Sequence, residues 1–265
     1  MRKYFLLIAL FATAVMMSGC GLKETPPEQG ISTLPPANVT CGEFALYLDP
    51  VLGSGYECET VPESSGSDIP MDIFTYPAHT ELTLQDFPLT DTQSPAKVYI
   101  YPVERFRELL PDVIPQRISD LETLLSGGSG SSRELPFLPP LPLRQTFFAH
   151  EAILSFRDGS GVRFITDYNE SSHPLSNRTI FYTFQGLTDD GRYWVAVTLP
   201  ISSTVLPDNV DFPPPPEDFT FEEWFQNYGS YVRDVKEELE AQAPDSFFPT
   251  LGILDGLIES ITIGS

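Results

Sequence analysis

The sequence contains few basic residues, few histidines and few cysteines. Its 265 residues include 15 Lys and Arg against 37 Asp and Glu, which leaves a formal net charge of −22, together with three His and three Cys. A chain this acidic is repelled by nucleic acid and by an anionic membrane surface, which argues against both as electrostatic partners. Because 41% of the residues are hydrophobic, the chain can nevertheless build a folded core.

The sequence also lacks the common motifs of catalysis and metal binding. It has no G-x-S-x-G nucleophile elbow, no glycine-rich phosphate loop and no H-E-x-x-H pair. His79, His150 and His173 have no metal-ligating partner three or four residues further on. His150 and Glu151 are neighbours in a predicted strand, so their side chains should point to opposite faces and form no dyad. We therefore expect no cofactor and no metal, although a zinc site assembled from dispersed residues stays open.

The first twenty residues have the pattern of an export signal. A basic start at Arg2 and Lys3 precedes an apolar run over 4–17, which is too short to cross a hydrocarbon core of about 30 Å as a helix. The run ends in Met17-Ser18-Gly19-Cys20, which resembles the lipobox of bacterial lipoproteins. That resemblance implies cleavage before Cys20 and a diacylglycerol on its sulfur. The alternative is an ordinary signal peptide with an incidental cysteine.

The lipobox resemblance divides the chain into three parts and implies a location. A signal peptide covers 1–19, the lipidated Cys20 and a proline-rich tether cover 20–40, and a folded domain covers 41–265. The tether has no apolar periodicity and should be extended. We expect the protein at the extracytoplasmic face of the bacterial cell envelope, where the lipid on Cys20 makes the membrane a partner.

The two remaining cysteines predict a disulfide. Cys41 and Cys58 form an even pair in a chain that is exported to an oxidising compartment. The alternative is a redox or metal-binding pair. Their separation of 17 residues and the lack of a neighbouring histidine disfavour that alternative.

The first half of the folded domain predicts short strands and one helix. Five residues recur at helical spacing within a predicted helix over 114–125, namely Ile114, Ile118, Leu121, Leu124 and Leu125. A long Gly-, Ser- and Pro-rich loop near 126–144 follows, and its Pro139-Pro140-Leu141-Pro142 stretch either packs on its own chain or serves as a polyproline ligand. The predicted strands cover 43–49, 80–84 and 97–101.

The second half predicts two hairpins and a long amphipathic helix. Asp158-Gly159 and Asp190-Gly191 tolerate positive φ and are typical of hairpin turns. Thr220 and Glu223 form a capping box at the start of a helix over 220–241, and a helical turn and a final strand follow over 251–263. The hairpin strands cover 146–156, 162–167, 179–187 and 192–199, of which the last two are apolar on both faces and should be central. The apolar stripe of the helix comprises Phe221, Trp224, Phe225, Tyr228, Val232, Val235 and Leu239.

These elements predict a single α+β domain with a mainly antiparallel sheet covered by helices. Their order, and the ending ILDGLIESITI, resemble the PsbP-like fold over about residues 42–264. That resemblance implies a binding or assembly module rather than an enzyme, although a fold alone does not define a function.

Several polar and aromatic residues are candidates for a site. Asp167, Asn169 and Glu170, or Asp189 and Asp190, could supply oxygens to Ca²⁺, but their sequence pattern favours turns that carry a charged surface. Trp194 and Trp224 could form a sugar-stacking platform, but their positions are more typical of core residues.

Two classes of function remain open. The first is a non-catalytic, lipid-anchored binding or assembly module with an unknown protein or small-molecule ligand. The second is an exported, glycosidase-like hydrolase that uses an Asp/Glu pair.

Overall fold

The largest element of the fold is an antiparallel sheet of seven strands. The computed structural model describes residues 35–65, 74–128, 134–209 and 220–264. The strands in chain order are β1 (Val39–Cys41), β2 (Phe44–Leu46), β3 (Gly55–Val61), β4 (Ser64–Ser65), β5 (Thr75–Tyr76), β6 (His79–Gln85), β7 (Lys97–Pro102), β8 (Arg144–Phe156), β9 (Gly159–Asn169), β10 (Phe181–Thr188), β11 (Tyr193–Pro200), β12 (Ser202–Ser203), β13 (Phe247–Phe248) and β14 (Thr262–Ile263). The α-helices are α1 (Val103–Leu109), α2 (Ile114–Leu125), α3 (Phe221–Glu240) and α4 (Leu251–Glu259).

The strand order of the large sheet is β3-β6-β7-β11-β10-β9-β8. The last four strands of that order are two consecutive hairpins, and β7 joins them to β6 by pairing with β11. The chain leaves β7 through α1 and α2 and returns at the far edge of the sheet as β8. Mixed helices and a large antiparallel sheet confirm the predicted α+β class.

Both predicted hairpins form, one around Asp190-Gly191 and the other around Arg157-Asp158, because Gly159 already pairs with Phe156 in the strand. Gly191 follows Asp190 with a φ of +68°, a conformation that glycine adopts without steric cost. In the other hairpin β9 begins at Gly159, earlier than the predicted 162. A Cβ at Gly159 would lie 2.1 Å from the carbonyl oxygen of Leu187, so the close approach of β10 requires glycine there.

The sheet is covered on both faces, and its two faces are named here by the helices that pack on them. The α2 face carries Val162 and Phe164 of β9 and packs against α1, α2 and the segment that ends at Leu138. The α4 face carries Ile165 of β9 and packs against α3, α4 and a small sheet of β1, β2 and β14. Strands β10 and β11 lie in the centre of the sheet with almost every residue buried, as predicted.

Helix α2 has the predicted bounds. Its buried apolar residues Ile114, Ile118 and Leu121 are three of the five that recur at helical spacing, while Leu124 and Leu125 are half-buried. Pro115 lies in the first turn, where its missing N–H has no helical acceptor to lose, and Gly127 follows the helix with a φ of +78°.

Helix α3 begins with the predicted capping box, but its predicted apolar stripe is partly wrong. The backbone N–H of Glu223 donates to the Thr220 hydroxyl, and the Glu223 carboxylate accepts from the Thr220 N–H. Trp224 is 6% exposed, whereas Phe221 and Phe225 are 56% and 58% exposed. Neighbouring helical residues point about 100° apart. Because Trp224 points toward Ser172 in the loop after β9, Phe225 points away from the protein.

The amino-terminal part of the domain contains elements that the sequence analysis missed. Val39, which was placed in the tether, is buried in β1, so the folded part begins before residue 41. The predicted strand over 43–49 is shorter, and Asp49 instead caps a 3₁₀ turn at Pro50–Leu52. Strand β3 and helix α1 were not predicted.

The predicted disulfide joins two of these elements. Cys41 of β1 is bonded to Cys58 of β3, with their Cα atoms 5.6 Å apart. The bond ties the small sheet to an edge strand of the large one.

Within the predicted loop near 126–144, the segment over 134–138 contributes to the core. Leu135, Phe137 and Leu138 are buried on the α2 face of the sheet. The side chain of Gln185 in β10 accepts from the backbone N–H of Leu138 at 3.0 Å and from the Trp194 indole N–H at 2.9 Å. Gln185 Nε2 also donates to the Leu138 carbonyl oxygen at 3.4 Å, so both ends of this buried amide hold the segment in place.

Candidate ligand-binding cleft

An aromatic cleft of about 220 Å³ opens on the α2 face of the sheet. Strands β7, β11, β10 and β9 each contribute to it, together with the loop before β7 and the segment before β8. Its lining residues are Gln93, Ser94, Pro95, Tyr99, Phe137, Pro139, Leu141, Leu143, Tyr168, Thr179, Phe181 and Thr198. The sheet thus places residues from distant parts of the chain around one small space.

Three aromatic rings form one wall of the cleft. Phe137 lies against Tyr168 and Phe181, with ring centroids 4.8 Å and 5.9 Å apart, and the rings of Tyr168 and Phe181 are stacked at 6.1 Å. Phe137 and Phe181 are buried and Tyr168 is half-buried. These mutual contacts hold the wall in a single arrangement.

Tyr99 forms the second aromatic wall. Its ring is stacked on Tyr101, with centroids 5.8 Å apart and planes at 8°. Strand β11, which carries Thr198, lies between the strands of Tyr99 and Phe181. Tyr99 pairs with Ala196 of β11 and Phe181 pairs with Pro200, so the two walls lie two strands apart and are offset by four residues along β11.

The proline-rich stretch closes one side of the cleft. Pro139 and Leu141 belong to the lining, and the preceding Leu138 is held by Gln185. The stretch therefore packs on its own chain, which is the first of the two interpretations that its composition allowed.

The cleft contains a few polar groups but no charged side chain among the described residues that line it. Thr179, Thr198 and Ser94 supply hydroxyl groups and Gln93 supplies an amide. Burial raises the pKa of Tyr99, and the nearby Glu81 carboxylate raises it further. The phenol is therefore neutral at physiological pH.

The charges closest to the walls are partly compensated. Glu81, next to Tyr99, is buried and forms an ion pair with Lys97. Burial raises the pKa of the Tyr168 phenol, Arg117 lowers it and Glu134 raises it, so charges of both signs lie near the other wall.

The three histidines lie in separate structural environments. His79 is buried against Tyr101, with ring centroids 4.5 Å apart, and burial lowers the pKa of its imidazole. His150 Nε2 lies 2.7 Å from the carbonyl oxygen of Leu239, and His173 contacts the side chain of Asn169. Within the described ranges no three His, Cys, Asp or Glu side chains form a group that could hold a metal ion.

His150 and Glu151 do not alternate between the two faces as neighbours in a regular strand do. His150 has a φ of +53° and lies at a β-bulge between Ala149 and Ala152. A bulge interrupts the alternation of side chains. It turns the imidazole to the end of α3, while Glu151 is exposed.

The first carboxylate candidate is a buried residue. Asp167 accepts from the Thr146 hydroxyl at 2.9 Å, and burial raises the pKa of its carboxyl group. Asn169 accepts from the backbone N–H of Ser171, while Glu170 is exposed. These contacts order the end of β9.

The second carboxylate candidate is a turn. Asp190 accepts from the Thr188 hydroxyl at 2.7 Å and from the Arg192 backbone N–H at 3.0 Å. These bonds and the Arg192 guanidinium lower the pKa of its carboxyl group to about 2. Asp189 is exposed beside it. The interpretation as a turn with a charged surface fits this second group, whereas Asp167 of the first group is buried in β9.

Neither tryptophan presents a stacking platform. Trp194 is fully buried and Trp224 donates from its indole N–H to the Ser172 carbonyl oxygen at 2.6 Å. Both are core residues.

The aromatic walls were not identified from the sequence. Tyr99 and Tyr101 alternate in a predicted strand and therefore share a face, which was a usable signal for one wall. The other wall combines Phe137, Tyr168 and Phe181, which no local pattern links.

Cys20, the predicted lipidation site, lies outside the described residues. No helix among the described residues is long and apolar enough to cross a membrane. The chain matches no protein-family model, no curated protein and no solved structure. The lipobox and PsbP-like resemblances therefore stay predictions.

Proposed function

We propose that the protein is a non-catalytic binding module at the extracytoplasmic face of the bacterial cell envelope, held there by a lipid on Cys20. The aromatic cleft is its ligand site. The observation that carries this proposal is the lining of the cleft, which combines aromatic walls with a few hydroxyl and amide groups. Small-molecule sites are typically concave and apolar with a few placed polar groups.

The same lining disfavours the hydrolase alternative. A glycosidase needs two carboxyl groups about 5 to 10 Å apart in the cleft that holds the sugar. No Asp or Glu is found among the described residues that line this cleft. A binding role requires no such pair.

Two features support an exported location. The leader has the charge, apolar run and small-residue pair that precede Cys20. The bond between Cys41 and Cys58 is of a kind that forms and persists mainly in oxidising compartments. The PsbP-like resemblance, which we retain as part of the proposal, is also compatible with a binding module.

The ligand role is tested by blocking the cleft at its rim. Ser94→Trp fills the space, whereas Thr90→Trp places the same ring on an exposed position of the same loop, outside the lining. The full-length protein and both variants are purified from their own cells, and retained small molecules are measured by native mass spectrometry. We expect the wild type and Thr90→Trp to retain a compound that Ser94→Trp lacks. Identical profiles for all three proteins contradict a ligand role for the cleft.

The anchoring role is tested at Cys20. Cys20→Ala should abolish labelling by a radioactive fatty acid and leave the protein as uncleaved precursor or in the soluble fraction. Cys58→Ala serves as the control, because it removes a cysteine, and with it the bond to Cys41, without touching the leader. Normal processing and membrane retention of Cys20→Ala contradict lipidation.

A further inference from the structure

We infer that the aromatic cleft takes a small quaternary ammonium ligand, a compound in which a permanently charged trimethylammonium group is attached to a short polar tail. The inference rests on the proposed function and names the chemical class of its ligand. It is argued from the ring walls, the size of the cleft and the groups that are present or missing in its lining.

The rings supply the attraction for a cation. The face of an aromatic ring carries negative electrostatic potential, and cations bind over it within about 6 Å of the centroid. Tyr99 lines the same cleft as the wall formed by Phe137, Tyr168 and Phe181. A cation in the cleft would therefore lie among aromatic side chains from both walls.

The charges of the protein favour the same sign of ligand. The chain carries a net charge of −22, which attracts cations to the surface. None of the described lining residues is Lys or Arg, and the nearby Lys97 is paired with Glu81. The phenol of Tyr99 stays neutral because burial and Glu81 raise its pKa, so the rings rather than a phenolate provide the negative potential.

The lack of a carboxylate in the described lining decides which kind of cation fits. A primary ammonium ion carries three N–H donors, which lose their water on entry and need acceptors of opposite charge to compensate. A quaternary ammonium ion has no N–H group to satisfy. It therefore tolerates a cleft that offers rings and a few hydroxyl groups, such as those of Thr179 and Thr198.

The size of the cleft limits the ligand to a small molecule. At about 30 Å³ for each water-sized group, a volume of 220 Å³ holds about seven non-hydrogen atoms. Choline has that number of non-hydrogen atoms, and its hydroxyl group can reach a rim hydroxyl or amide while its trimethylammonium group lies between the rings.

The test compares three probes on the purified full-length protein, kept in a non-ionic detergent at constant ionic strength and studied by isothermal titration calorimetry. Choline is the probe, 3,3-dimethyl-1-butanol is its uncharged isostere, and ethanolamine is its primary ammonium analogue. We expect choline to bind about tenfold more tightly than the isostere, a difference within the range of cation–π interactions. Ethanolamine should bind more weakly than choline.

Two sets of variants connect the binding to the cleft. Tyr99→Phe keeps the ring and should keep choline affinity, whereas Tyr99→Leu should weaken it about fivefold, within the range expected for one lost cation–π contact. Tyr56→Leu, on exposed β3, is the control for loss of a tyrosine. Because Tyr99→Leu removes a stacked ring, Ser94→Lys and Ser94→Glu provide a second measurement at the rim. The lysine should weaken choline binding and the glutamate strengthen it, while binding of the uncharged isostere stays the same.

The outcomes separate this inference from the proposed function. Equal affinities for choline and the isostere contradict the inference that the ligand is a cation but leave the cleft as a binding site. Equal affinities for choline and ethanolamine overturn the quaternary class. No saturable heat with choline overturns the inference, and the retained-compound experiment with Ser94→Trp then decides separately whether the cleft binds another ligand.

Discussion

Arg163 and Asp255 form an ion pair in the interior of the protein although 92 residues separate them in the sequence. The guanidinium Nε lies 3.1 Å from Asp255 Oδ1, and Nη2 lies 3.3 Å from Oδ2. The Tyr182 hydroxyl donates to the same carboxylate at 2.9 Å, and Arg163 also donates to the carbonyl oxygen of His150 in the bulge of β8. The pair therefore holds α4 to the sheet and connects it to the bulge.

We expect Asp255→Ala to destabilise the protein by about 3 kcal/mol, because it leaves the Arg163 guanidinium buried without its counter-charge. The measurement is the urea unfolding midpoint at neutral pH. Asp245→Ala, at an exposed position just before α4, should change the free energy of unfolding by less than about 0.5 kcal/mol.

The apolar double variant Arg163→Met with Asp255→Leu refines this test. Replacing both partners by apolar groups avoids an unpaired charge, so it should recover part of the stability that Asp255→Ala loses. A double variant less stable than Asp255→Ala would argue that the pair contributes more than charge compensation.

Substituting two adjacent aromatic residues of α3 tests which face of the helix is buried. Trp224→Ala should lower the free energy of unfolding by about 3 to 5 kcal/mol, because it leaves a cavity beside Tyr231 and removes the donor to the Ser172 carbonyl. Phe225→Ala should cost less than about 1 kcal/mol, because its ring is exposed. Equal effects in urea unfolding would place both rings in the core or neither, in conflict with the orientation of α3.

The disulfide should contribute about 3 kcal/mol to stability, the value expected for closing a loop of this size. Cys58→Ala should lower the free energy of unfolding by that amount and shift the urea midpoint downward accordingly. Dithiothreitol should lower the wild type to the same midpoint and leave the variant unchanged. Mass spectrometry of the unreduced protein should find two hydrogens fewer than in the dithiol. A reduced wild type as stable as the oxidised one would show that the bond constrains little.

Asp167 should make stability depend on pH. Its folded pKa is raised above the ordinary 3.8, chiefly by burial, so the folded state holds the proton more tightly than the unfolded state. The resulting stabilisation is complete below the ordinary pKa and is lost as pH rises through the folded pKa. The free energy of unfolding of the wild type, relative to Asp167→Asn, should therefore fall as the pH rises from about 3 toward neutrality. A pH-independent difference between the two proteins would contradict the raised pKa.

Several boundaries of the fold could be predicted because short-range contacts set them. The capping box of Thr220 and Glu223 defines the start of α3 through bonds across three residues. The bounds of α2 follow from the spacing of its buried residues and from Gly127. By contrast, β3 and α1 were missed, since β3 is mostly exposed and α1 spans only Val103–Leu109.

The sequence alone determined the local elements of this protein: its hairpin turns, its main helices, the pairing of Cys41 with Cys58, and the leader that predicts export. Only the tertiary structure decided the candidate site. Strand β7 pairs with β11, and the segment before β8 folds over the sheet, so Tyr99 and Phe137 line the same cleft although 38 positions separate them in the sequence. Such contacts depend on the order of strands across the sheet, which no short-range pattern encodes. The same holds for Arg163 and Asp255, whose attraction became effective only when packing removed both from water.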